Sequence, residues 1–155
     1  MIYCAYGSNM NIEQMAFRCP DAKVIGTGIV PDYLLMFRGA KARAYANIQP
    51  DRSAVKKHDG VPCVLWEISE KDEKSLDRYE GFPHFYYKDF VNVVTSEGKR
   101  VKAMAYIMTP GRSAGVPTEE YFNIILEGYN QNDIDTQYLF ERLKFAADHS
   151  KVLRE

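Results

Sequence analysis

Two short stretches of this chain carry residue types that do chemistry. In Leu76-Asp77-Arg78-Tyr79-Glu80-Gly81-Phe82-Pro83 a carboxylate stands at the last turn of a short helix, and Gly81 follows where a left-handed cap would sit. A helix C-terminus is partly negative and Asp77 lies three residues back on the same face, so both disfavour ionised Glu80. The aromatic neighbours Tyr79, Phe82, Phe85, Tyr86 and Tyr87 add desolvation in the same direction. The expectation is a raised pKa and general acid/base work; the plain alternative is a solvated carboxylate at a helix end.

The other stretch is the opening, Met1-Ile2-Tyr3-Cys4-Ala5-Tyr6-Gly7-Ser8-Asn9-Met10. A short apolar strand breaks there at a Gly-Ser-Asn turn, leaving backbone N–H groups without ladder partners, a site for a carboxylate or an oxyanion. Gly7 is expected to need positive φ or close approach of backbone to ligand. For Ser8 and Asn9 an ordinary turn and cap is the alternative. With no charged leader or apolar h-region ahead of it, the strand reads as part of the mature fold.

Other residues are weaker candidates. His58, His84 and His149 are scattered, none at helical spacing from another His or Cys, so a zinc site is not expected. Ser8 lacks a Gly-x-Ser-x-Gly elbow and a neighbouring histidine. Cys4, Cys19 and Cys63 are odd in number and far apart, and read as reduced core thiols of a cytoplasmic protein, Cys4 packing inside its strand rather than acting as a nucleophile. Tyr86 and Tyr121 suit the core, or could present hydroxyls to a pocket.

The elements that must position these residues are legible. Asn11 caps a helix over 12–18 that Cys19-Pro20 stops. Segments 23–30, 33–38, 45–48 and 61–68 read as strands, and Ser69 with Asp72 caps a helix through Leu76 to Tyr79. Segments 86–95 and 100–108 flank Ser96-Glu97-Gly98-Lys99 as a hairpin, and helices follow from Thr118 to about Tyr129 and from about Asp135 to His149. Strands first and helices mostly last point to α+β, with a mixed, mostly antiparallel sheet that curls toward a barrel.

The 155 residues, 46% hydrophobic and 26% charged, fit a single domain over 1–155 with a sizeable core. The 20 basic and 21 acidic residues leave a net charge of -1, which gives no field for nucleic acid. No apolar run approaches the roughly 20 residues of a membrane helix.

Taken together, the Tyr6-Gly7-Ser8-Asn9-Met10 turn, Leu76-Asp77-x-x-Glu80-Gly81 and Tyr86 at the next strand resemble the gamma-glutamylcyclotransferase-like family. The likeness extends to Ala46-Asn47-Ile48, Val64-Leu65-Trp66, Thr95 to Lys99 and Pro117-Thr118-x-x-Tyr121, and so covers the chain to about Asp133. It implies a small mixed barrel with peripheral helices, a loop at Tyr6 to Met10 that binds substrate through backbone amides, and Glu80 as the proton carrier. It also implies cyclisation of a gamma-glutamyl compound to 5-oxoproline with release of its amine, without metal or organic cofactor. Family members acting on other gamma-glutamyl compounds often carry Tyr-Gly-Ser-Leu or Tyr-Gly-Thr-Leu, so Asn9 points to gamma-glutamyl amino acids. Phe82 to Phe85 and the final helix are individual to this chain. They leave open a gamma-glutamyl amine, glutathione, a gamma-glutamyl-protected metabolite or a non-catalytic small-molecule binder of the same fold, and a homodimer is open too.

Overall fold

A computed structural model describes residues 1–152. Strand β1 (Ile2–Ala5) runs into a single 3-10 turn at Ser8–Met10 and helix α1 (Ile12–Arg18). There follow β2 (Lys23–Val30), β3 (Tyr33–Ala40), β4 (Arg43–Pro50), β5 (Val61–Glu67), α2 (Glu70–Glu80), β6 (Tyr86–Thr95) and β7 (Arg100–Met108). The short β8 (Ser113–Ala114) and helices α3 (Glu119–Gln131) and α4 (Gln137–Val152) complete it.

Local chemistry explains the ends that position the site. The Asn11 side chain accepts the amide of Gln14 at 3.1 Å and starts α1. Ser69 and Asp72 form a reciprocal capping box at the head of α2, with bonds of 3.1 and 3.0 Å. Gly81 takes φ 65°, a conformation nearly free of cost only to glycine, and lets Phe82 N donate to Asp77 O at 2.9 Å as α2 ends. Fully buried Leu76 anchors this helix, a contribution of about 1.5–3 kcal/mol.

Strands close into a barrel in the order β1-β5-β2-β6-β7, antiparallel except where β1 meets β7 in parallel, at Tyr3 opposite Met104. The expected α+β barrel with helices outside is therefore observed, but the strands do not form one sheet. β3 and β4 pair with each other from Tyr33↔Pro50 to Ala40↔Arg43, further than residue alternation shows, and with β8 they build a second sheet in the order β4-β3-β8. The two-residue link between β2 and β3 puts Asp32 at φ 65°, which turns the chain away from the barrel. β8 is too short to carry any period.

Helix α3 packs on the 3-10 turn. Asn11 Nδ2 donates to Ile124 O and Asn132 Nδ2 to Met10 O, each at 3.0 Å. Gly128 permits this approach, since a Cβ there would come 2.9 Å from the backbone of Met10 and Asn11. All three cysteines are free and buried. Among the described residues no helix is long and apolar enough to cross a membrane.

Candidate active site

A cavity of about 390 Å³ opens where the 3-10 turn, β4, the last turn of α2 and α3 meet. Gly7, Ser8 and Asn9 line one side of it, Tyr79 and Glu80 line another, and Tyr6, Tyr86 and Tyr121 contribute their rings. The two stretches singled out in the sequence, 71 residues apart at the Ser8–Tyr79 contact of 3.1 Å, thus share one pocket.

Glu80 is half-buried, and desolvation pushes its carboxyl from 4.5 up to about 7, with the positive Arg18 working against the rise. The direction agrees with the expectation, and so does desolvation as its main cause; the expected push from Asp77 does not appear. Asp77 accepts the Tyr106 hydroxyl at 2.6 Å and the Lys88 ammonium at 3.1 Å, so its charge is compensated on another side of the helix. Of the expected aromatic neighbours, Tyr79, Phe85 and Tyr86 line the cavity while Tyr87 and Phe82 do not, and rings from other elements complete the wall, Tyr3 of β1 and Tyr6 just after it among them.

The turn is rigid. Its own bonds run from Met10 N to Gly7 O at 3.0 Å and from Asn11 N to Ser8 O at 3.1 Å, so they use none of the Gly7, Ser8 and Asn9 amides. Trp66 Nε1 donates to Asn9 O at 3.0 Å from β5. Gly7 has φ -120°, so left-handed backbone is not why it is glycine. Crowding is: a Cβ there would stand 3.2 Å from Ala46 Cβ and 3.4 Å from the Tyr121 hydroxyl.

Ala46 lies on β4, the outer strand of the second sheet, where backbone groups lack a neighbouring strand. Tyrosines from two elements take them up: Tyr86 donates to Ala46 O at 2.7 Å, and Ala46 N donates to the Tyr121 hydroxyl at 3.0 Å. Tyr121 keeps its own proton to donate elsewhere, and Tyr86 keeps lone pairs to accept. Burial pushes both phenols well above their ordinary range, so they act as neutral hydroxyls. Tyr6 is fixed by donating to Tyr106 O.

One expected ligand contact is corrected. Met10 does not line the cavity; it is fully buried in the core beneath α3. Asn9 borders the cavity, but its side chain is turned to the protein, donating to the Tyr3 hydroxyl at 3.0 Å and accepting from Arg18 at 2.7 Å. Phe85, expected beside Glu80, lines the site, and so do Tyr3, Tyr45 and Tyr106, whose part in it sequence reasoning missed. Periodicity marks Tyr3 and Tyr106 as core, which they are; only the barrel closure turns their rings toward Glu80.

The profile of the AIG2-like family matches residues 60–142, more than half of the chain and the part that carries Glu80. The chain belongs to that family. A gamma-glutamylcyclotransferase of Homo sapiens is 30% identical over 146 residues, covering 92% of this AIG2-like chain and 77% of the human protein. One of Mus musculus is 29% identical over the same shares of each. A solved structure named gamma-glutamyl cyclotransferase superposes with a TM-score of 0.79 at 29% identity, over 93% of this chain and 86% of its own.

Proposed function

We propose that this AIG2-like protein is a gamma-glutamylcyclotransferase-type enzyme that cyclises a gamma-glutamyl compound, foremost a gamma-glutamyl amino acid, to 5-oxoproline. The observation that carries the reading is a carboxyl poised near neutrality, at about 7, sharing one cavity with a turn whose own bonds leave the Gly7, Ser8 and Asn9 amides unused. The names of the human and mouse relatives support it.

The substrate brings its own nucleophile. Its alpha-ammonium, with a pKa of roughly 8, must lose a proton before attacking the gamma-carbonyl carbon. Handing that proton to a carboxyl at about 7 is uphill by about 1.4 kcal/mol, against about 5 kcal/mol for one at 4.5. Desolvation of Glu80 therefore removes most of that cost. The new C–N bond leaves an oxyanion on the former carbonyl, and this reading gives its stabilisation to the cavity-lining Gly7, Ser8 and Asn9 amides and the Tyr121 hydroxyl. The proton on Glu80 then moves to the departing nitrogen, the old C–N bond breaks as the oxyanion collapses to the lactam carbonyl, and the ring nitrogen, left cationic by its attack, gives its second proton back to the Glu80 carboxylate, from which it passes to the released amine. Water is not consumed.

Product analysis tests this. A gamma-glutamyl amino acid should give 5-oxoproline and free amino acid in equal amounts, while its N-acetylated form, whose amine cannot attack, should be inert. Glutamate as the main product would mean hydrolysis, and binding without turnover across amino acid, amine and glutathione substrates would mean a non-catalytic binder.

A further inference from the structure

The second observation at this site is a bridge built by Arg18, the last residue of α1 and no wall of the cavity. Its guanidinium carbon lies over the Tyr79 ring, 3.5 Å from the centroid, and the group donates through NH1 to Asn9 Oδ1 at 2.7 Å. Tyr79 precedes Glu80 and its hydroxyl is 3.1 Å from Ser8 Oγ. Asn9, Arg18, Tyr79 and Ser8 thus form a closed loop joining the amide-bearing turn to the turn that carries Glu80.

We infer that Arg18 is a positioning residue that, from outside the cavity, fixes the spacing between the substrate-binding turn and the turn that carries Glu80. The inference rests on Glu80 being the proton carrier. A lysine could keep the charge but not the planar fork that stacks and donates at once.

The charged surroundings single out this cation. Tyr3 of β1, Tyr6 just after it, Tyr86 of β6, Tyr106 of β7 and Tyr121 of α3 all interact with Glu80, and burial raises each phenol so far that it stays neutral throughout the working pH range. On α2 itself, Asp77 is paired with Lys88, and Arg78 lies exposed with Ser75 Oγ at 3.4 Å. On β4, Tyr45 meets Tyr121 and Phe85 edge-on. Arg18 is the charge whose attraction opposes the desolvation of Glu80.

The test combines kinetics and carboxyl titration. With gamma-glutamyl-alanine as substrate, kcat/KM is measured from pH 5.5 to 9 for the parent, Arg18→Gln and Arg18→Lys, beside ¹³C NMR titration of glutamate side chains. The resonance titrating near 7 is assigned by its disappearance in Glu80→Gln; if none disappears, the Glu80 reading fails rather than this one. Arg18→Gln should move that titration and the acid limb of kcat/KM to higher pH. Each unit of movement costs tenfold on the acid side, so the loss at pH 6 should exceed that at pH 9 on the order of three- to tenfold. Arg18→Lys should leave the limb near the parent position while raising KM. A uniform loss in Arg18→Gln at every pH, with the Glu80 titration unmoved, would reduce Arg18 to a packing role. If Arg18→Gln does not fold, Arg18→Lys decides alone: an unchanged KM overturns the bridge.

Discussion

Replacing Glu80 with glutamine should abolish turnover and at the same time stabilise the protein, progressively as pH rises above about 4.5. The folded state raises this carboxyl from 4.5 to about 7, so between those values it holds a proton that the unfolded chain has released. Folding stability contributed by this group therefore falls as pH rises through that window, by 2.5 units or about 3 kcal/mol in all, and the deficit is complete above pH 7. Glutamine keeps the shape and carries no charge to desolvate. At 2–4 °C per kcal/mol for a chain of this size, its Tm should exceed the parent's by up to roughly 6–12 °C at pH 8 and by nothing at pH 4.5. Thermal melts followed by circular dichroism at the two pH values read the difference, and 5-oxoproline release should fall at least ~100-fold with KM retained. A glutamine variant no more stable than the parent at pH 8, or equally stabilised at both pH values, would mean that Glu80 is solvated and the mechanism built on it is wrong.

Other expectations follow from the cavity's walls. Gly7→Val should raise KM by roughly tenfold or more with little loss of folded protein, because its side chain enters the crowded space between Ala46 and Tyr121; an unchanged KM would remove Gly7 from the substrate side. Tyr121→Phe deletes the acceptor of Ala46 N and a donor to the cavity, and should cost about 1 kcal/mol in stability and lower kcat/KM roughly tenfold. Parent-like melting and kinetics in that variant would show that the hydroxyl serves neither role.

What the sequence made legible was local. Asn11, Ser69 and Thr118 act on amides within three residues, so their side chains announce the helices they cap, and Gly81 announces where α2 stops. The bounds of β2, β6 and β7 match their apolar runs because Pro, Gly and charged residues punctuate them. Illegible was everything decided by where elements meet. Asp77 shares a helix with Glu80, yet Tyr106 and Lys88, arriving from β7 and β6, decide what its charge can do. Met10 and Gly7 sit in one turn, yet only the packing of α3 decides that one is core and the other lines the cavity. Arg18 carries no motif at all; its role exists only once α1 has docked beside α2.

The parallel seam between β1 and β7 has a kinetic consequence. Because β1 is drawn between strands met much later in the chain, and Tyr6 reaches a carbonyl 100 residues on, the amide-bearing turn has no scaffold until the second half of the protein has folded. Ordering such distant segments is slow relative to hairpins, since loop closure comes before any reward in contacts. The β3–β4 hairpin and the β6–β7 hairpin can form early, while competence to bind substrate arrives last, with the seam. In a refolding experiment, enzymatic activity should therefore return with the slowest structural phase and never ahead of it, so a truncated or half-folded chain presents no partly working site to the metabolites around it.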